Sequence, residues 1–173
     1  MFRSATTISK FYLGSVMASL RTHTIRKHIS TKECMKIRES LSNTQTWPDW
    51  HRGAKGMFAT QAGTLEKGHR IALHQLIKGA LIESRWIIDN IREDQNFYEL
   101  VMLFDGQSRM ERTTASGIEN YRISITILLE DEGGVEIYSS WHPKGLAKLF
   151  SKNMAAFVTA NANQLLEDLV SIV

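Results

Sequence analysis

The chain is short of cysteine, of proline and, at its start, of acid: one Cys, two Pro, and no Asp or Glu among residues 1–32 of 173. A lone Cys34 excludes an intramolecular disulfide, and no Cys/His spacing supports a structural zinc site. The fold therefore rests on packing. No apolar run reaches the ~18 residues that a spanning helix needs, which predicts a soluble chain without an integral membrane segment. Also missing are HExxH, GxSxG and a phosphate-cradling glycine loop. Without them His23, His28, His51, His69, His74 and His142 read as surface histidines, most of them among charged residues. Cys34 reads as a structural thiol, since nothing near it in sequence would lower its pKa.

What is present suits one globular domain: 43% hydrophobic and 23% charged residues. The net charge of +3 is unevenly placed. Six of the 21 basic residues precede residue 33, leaving 15 against all 18 acids in the remainder. A mildly acidic body without Lys/Arg clusters argues against nucleic acid as partner. Residues 1–20 are basic and rich in Ser and Thr, with Phe2, Ile8, Val16 and Leu20 near one helical face. Three readings stay open there: a retained leading segment that docks a protein partner, a mitochondrial transit peptide, or a weak secretory signal. The expected division is a leading segment at 1–20 and a domain at 21–173. The expected compartment is the cytoplasm, or the mitochondrion if 1–20 is a transit peptide.

Residues 20–29 alternate like a strand with one wet face. "STKE" at 30–33 matches a capping box, and Cys34, Ile37 and Leu41, with Met35 beside them, stripe the helix that follows. In "TWPDWHRG" the aromatic pair Trp47 and Trp50 reads as an anchor for a short turn, with a ligand platform as the alternative. The period then changes to two. Ile71, Leu73, Gln75 and Ile77 share a side; so do Ile82, Ser84, Trp86, Ile88 and Asn90; then Tyr98, Leu100, Met102 and Phe104; Tyr121, Ile123, Ile125 and Ile127; and Val135, Ile137, Ser139 and Trp141. Turns are expected at "KGA" 78–80, "REDQN" 92–96, "DGQS" 105–108 and "EDEGG" 130–134, which makes an antiparallel meander. A one-sided sheet needs a cover. Leu146, Phe150, Met154, Phe157, Asn161, Leu165, Leu169 and Ile172 supply one, a helical stripe predicted to lie across several strands as the lid.

Three stretches carry a family likeness: "STKECMKIRESLSNTQTWPDW", "LEKGHRI" at 65–71, and "GGVEIYSSWHPKG" at 133–145 leading into the last helix. In this order the chain resembles the START/Bet v 1-like superfamily (SRPBCC; the polyketide cyclase and lipid-transport branch) over residues 22–172. The resemblance implies an α+β helix-grip fold: a curved antiparallel sheet wrapped around a long C-terminal helix, with two short helices after the first strand. It also implies a cavity between sheet and helix that takes an apolar small molecule or lipid.

Polar residues on the inner face are where a cavity would differ from a solid core. Gln75, Ser84, Asn90, Tyr98, Tyr121, Ser139 and Asn161 hold that place, and Asn161 stands out as an amide within an apolar stripe. Trp86, Phe104, Trp141 and Phe157 read equally as core or as cavity wall, with Met102 and Ile123 among them. The predicted ligand set is therefore Ser84, Trp86, Tyr98, Met102, Phe104, Tyr121, Ile123, Ser139, Trp141, Phe157 and Asn161. The expected function is binding or transport of an apolar or amphipathic molecule (lipid, isoprenoid or polyketide-like), with no metal or organic cofactor. Two alternatives stay open: a polyketide cyclase or dehydratase with an inward Tyr as acid, and an interaction module with a filled core.

Overall fold

The computed structural model describes residues 20–173 apart from 55, 78–79, 111, 115–116, 131 and 146–150. Residues 1–19, Leu146 and Phe150 thus lie outside the described residues, as does the side chain of Gln75. In order the chain forms β1 (Arg21–His28), α1 (Thr31–Ser42), α2 (Trp47–Trp50), β2 (Phe58–Ala59), β3 (Arg70–Ile77), β4 (Ala80–Glu93), β5 (Phe97–Arg109), β6 (Arg112–Thr114), β7 (Ile118–Leu128), β8 (Gly134–Pro143) and α3 (Ser151–Val170). The strands make one antiparallel sheet in the order β1-β8-β7-β5-β4-β3-β2, with β6 paired to β5. Together with α3 and the two short helices after β1, this is an α+β helix-grip fold.

The capping box forms as read. Ser30 Oγ accepts from the Glu33 amide at 3.3 Å, and Glu33 Oε2 accepts from the Ser30 amide at 2.8 Å. Such a cap contributes about 1 kcal/mol. Cys34, Ile37 and Leu41 are fully buried, but Met35 is 59% exposed, because one residue further along turns it about 100° away from the core. Gly133 permits the close approach of this helix: a Cβ there would sit 2.8 Å from the Ile29 carbonyl oxygen and 3.0 Å from Cys34 Sγ. Burial pushes the Cys34 thiol upward in pKa, away from a reactive thiolate.

Two β-bulges re-aim the inner face. In β4 the register jumps from Ile88↔Met102 to Asn90↔Val101, so Asp89 is the extra residue. Asn90 consequently lies on the outer face with Asp89, Arg92 and Glu99, not inward as alternation predicted, and Ile91 packs on the core instead. In β5 the jump falls at Asp105, between Trp86↔Phe104 and Arg85↔Gly106. The expected turn at 105–108 is therefore a bulge inside one 13-residue strand, with Gly106 at φ +118°.

The last helix is not centred over the sheet. It approaches β8 and β1, anchored by the fully buried Val158, Ala162 and Leu169. A straight helix of 20 described residues, ~30 Å long, cannot follow a curved sheet throughout. The face that carries Met154, Phe157, Asn161 and Leu165 looks across a gap at β3, β4, β5 and β7.

Candidate functional site

That gap is a cavity of about 380 Å³. Leu73 comes from β3; Ser84 and Trp86 from β4; Met102 and Phe104 from β5; Tyr121 and Ile123 from β7; Phe157 and Asn161 from α3. Eight members of the predicted ligand set line it: Ser84, Trp86, Met102, Phe104, Tyr121, Ile123, Phe157 and Asn161. Tyr98, Ser139 and Trp141 are buried on the same face but do not line it. Tyr98 stands at the other end of β5, under α1, with the Arg38 guanidinium 6.0 Å from its ring; burial there pushes its phenol up to about 12.

The wall is built around an aromatic triad. Trp86 meets Phe104 at 5.3 Å and Tyr121 at 5.4 Å, both edge to face, and its indole N–H donates to Ser84 Oγ at 3.2 Å. Phe157, 44% exposed, marks the mouth together with Arg109. Gln107 and Arg109 reach the cavity only because of the Asp105 bulge, which exchanges the two faces of the strand beyond it.

Polar chemistry gathers at two places. At the first, burial pushes the Tyr121 phenol up to about 12, while Ser139 and Asn161 beside it pull the other way and lose. Among the described residues, neither the buried Tyr121 hydroxyl nor Ser139 Oγ has a hydrogen-bond partner of good geometry. The second is a cluster that sequence reasoning missed. Asp168, 2% exposed, accepts from the Arg52 amide at 3.0 Å, from Arg52 Nε at 2.9 Å and from Gln164 Nε2 at 2.9 Å. His51 lies beside it and lines the cavity, so it is not the surface residue expected; His69 is buried too. Burial lowers the His51 pKa, outweighing the nearby Asp168 carboxylate.

The sign of the His51 shift gives an expected outcome. An imidazole depressed below 6.5 in the fold takes up its proton more readily in the unfolded chain. Its contribution to stability is complete above pH 6.5 and declines as the pH falls toward the lower folded value. Urea unfolding of the wild type and of His51→Gln should therefore give stability curves that converge on acidification from pH 7.5 to 5. Parallel curves would contradict a neutral, buried imidazole.

No protein-family model matches the sequence, and no curated protein matches it either. Solved structures do match. Ara h 8.0201 superposes with a TM-score of 0.64 at 13% identity, covering 88% of this chain and 97% of that one. The fold is Bet v 1/START-like. Norcoclaurine synthase from Thalictrum flavum, solved with dopamine and hydroxybenzaldehyde, gives a TM-score of 0.63 at 10% identity, covering 98% and 95%. Major latex-like protein 151 from Panax ginseng gives 0.58 at 9% identity, covering 88% and 96%. At these identities the Bet v 1/START-like likeness concerns the fold. Among the described residues no helix is long and apolar enough to cross a membrane.

Proposed function

We propose that this protein binds an apolar or amphipathic small molecule, of lipid, isoprenoid or polyketide-like character, between the sheet and α3. The observation that carries the reading is a cavity of about 380 Å³ walled by Trp86, Phe104, Met102 and Ile123, with the Tyr121 hydroxyl buried beside it and, among the described residues, without a hydrogen-bond partner of good geometry. That volume falls within the roughly 300–1,000 Å³ of small-molecule sites. A buried hydroxyl without a well-aligned partner is costly, and a ligand oxygen near Tyr121 and Asn161 would reduce the cost. The space also weighs against an interaction module with a filled core.

The cyclase or dehydratase alternative has an inward Tyr as acid and expects a perturbed titrating group in the cavity, and Tyr121 and His51 are both perturbed there. Tyr121, with a phenol at about 12, stays protonated at neutral pH, and His51 has its δ nitrogen occupied as an acceptor. A phenol held that high gives up its proton reluctantly, so both groups suit hydrogen bonding to a bound molecule better than proton transfer.

Native mass spectrometry of the purified protein is expected to release an apolar compound on denaturation. An apolar ligand at about 100 times its Kd should raise the unfolding free energy by about 2.7 kcal/mol. An empty protein that gains no thermal stability from a panel of fatty acids, isoprenoids and aromatic ketones would end this reading.

A further inference from the structure

We infer that His51 is a fixed, uncharged hydrogen-bond donor at the α2 end of the cavity, and that it selects ligands carrying a neutral acceptor oxygen there, above all a carbonyl. The inference rests on the cavity being a ligand site, as proposed above, and adds the chemistry of one end of the ligand.

The hydrogen-bond pattern fixes the tautomer. The Gly53 amide donates to His51 Nδ1 at 2.9 Å, so that nitrogen presents a lone pair. The Asp168 carboxylate is 3.8 Å from the same nitrogen, beyond hydrogen-bonding reach, and already accepts from the Arg52 amide. A neutral imidazole that accepts at Nδ1 carries its proton on Nε2. Nε2 has no partner among the described residues, while the side chain is only 11% exposed and the ring lines the cavity. Nε2–H is thus the polar atom the ring can offer to a bound molecule.

The ring is also held in orientation. It stacks on Trp47 at 6.0 Å and 17°, and Trp50 lies 5.3 Å away. All three side chains issue from one turn, which starts where Pro48 sets the backbone for a helix. A donor fixed in this way needs no reorganisation when a ligand arrives.

Charge selects the acceptor. Asp168 is matched by Arg52 and Gln164, so the residues at this end, His51, Gln164 and Asp168, offer an anion no unpaired cation. A cationic group would meet the Nε2–H donor and a carboxylate already engaged by Arg52 and Gln164. A neutral oxygen fits. From Asn161 to Asp168 is two turns of α3, ~10 Å along the axis. The ligand's two polar contacts, at Tyr121 with Asn161 and at His51, therefore stand at separate points along an apolar body.

The test uses two probes of similar shape, 2-acetylnaphthalene and 2-isopropylnaphthalene, with Kd measured by tryptophan fluorescence on the wild type, His51→Phe and His51→Gln. His51→Phe is expected to weaken the acetyl probe by about 5- to 10-fold and the isopropyl probe by less than about 2-fold, the size of one net hydrogen bond. His51→Gln, which keeps an N–H donor, should restore part of the loss. Imidazole ¹⁵N spectra should show the Nε2–H tautomer in the free protein, with a shift on adding the ketone but not the hydrocarbon. Equal losses for both probes, or a proton on Nδ1, would overturn the inference while leaving the cavity reading intact. Failure of both probes to bind the wild type would overturn the two together.

Discussion

Replacing Trp47 by alanine is expected to cost about 3–5 kcal/mol, the range for deleting a large buried aromatic side chain. Trp47 is 1% exposed, and its indole N–H donates to the Leu41 carbonyl at 3.0 Å, which ties the α2 turn to the end of α1. Removing it opens a void beneath both Trp50 and His51, whose rings lie 5.5 and 6.0 Å away. Against a total of roughly 5–15 kcal/mol for a natural domain, that is a large share of the whole. Denaturant titration measures it directly. A loss under about 1 kcal/mol would mean that the turn is not anchored as described. If the variant stays folded, a carbonyl probe should also lose affinity, since the His51 ring no longer has a surface to stack on.

Filling the cavity should have the opposite signature. Ser84 lies on the inner face of β4, opposite Leu73 on one side and Gln107 on the other, and lines the space. In Ser84→Phe a ring projects into room that a ligand would otherwise take. The change removes the acceptor for Trp86 Nε1, a loss of about 1 kcal/mol. Apolar burial of the new ring, at roughly 25 cal/mol per Å², offsets that loss, so stability should move by less than about 1 kcal/mol. Affinity for 2-isopropylnaphthalene should fall at least about tenfold, because displacing some 60 Å² of buried ligand surface already amounts to about 1.5 kcal/mol. Unchanged affinity in a folded variant would place the probe elsewhere on the molecule.

The features legible in the sequence were those that a period writes. Alternation of two marked the inner faces of β3, β4, β5, β7 and β8, because each residue's side is set by its neighbour's. The Ser30 capping box and the Trp-Pro turn carry local signals of their own. The bulges escaped, since a glycine such as Gly106 serves a tight turn and a β-bulge equally well, and only the partner strand's register tells them apart. Asn90, Gln107 and Arg109 were misplaced or passed over for that reason. His51 escaped for another: it follows a four-residue helix too short to show a face, and the Asp168 contact of its neighbour Arg52 spans 116 residues. One signal was there to be used. Asp168 interrupts the apolar run Leu165, Leu166, Leu169 and Val170, and an acid so placed needs a partner from elsewhere in the chain. The offset of α3 was not legible, because its apolar residues serve both the core and the cavity.

The position of β1 in the sheet bears on how the protein is made. Its strand neighbour is β8, with Arg21 opposite Trp141, 120 residues later in the chain. At ribosomal rates of about 5–20 residues per second, β1 waits ~6–24 s for that neighbour. The hairpins of β3, β4 and β5 join residues close in sequence and can assemble during the delay. A bare strand is prone to pair with other nascent chains. Arg21, Arg26 and Lys27 are all exposed in the finished fold, and three cationic side chains with no acid in eight residues would make such pairing electrostatically unfavourable. The basic character of β1 thus reads as protection during synthesis, needed before there is any cavity for a ligand to enter.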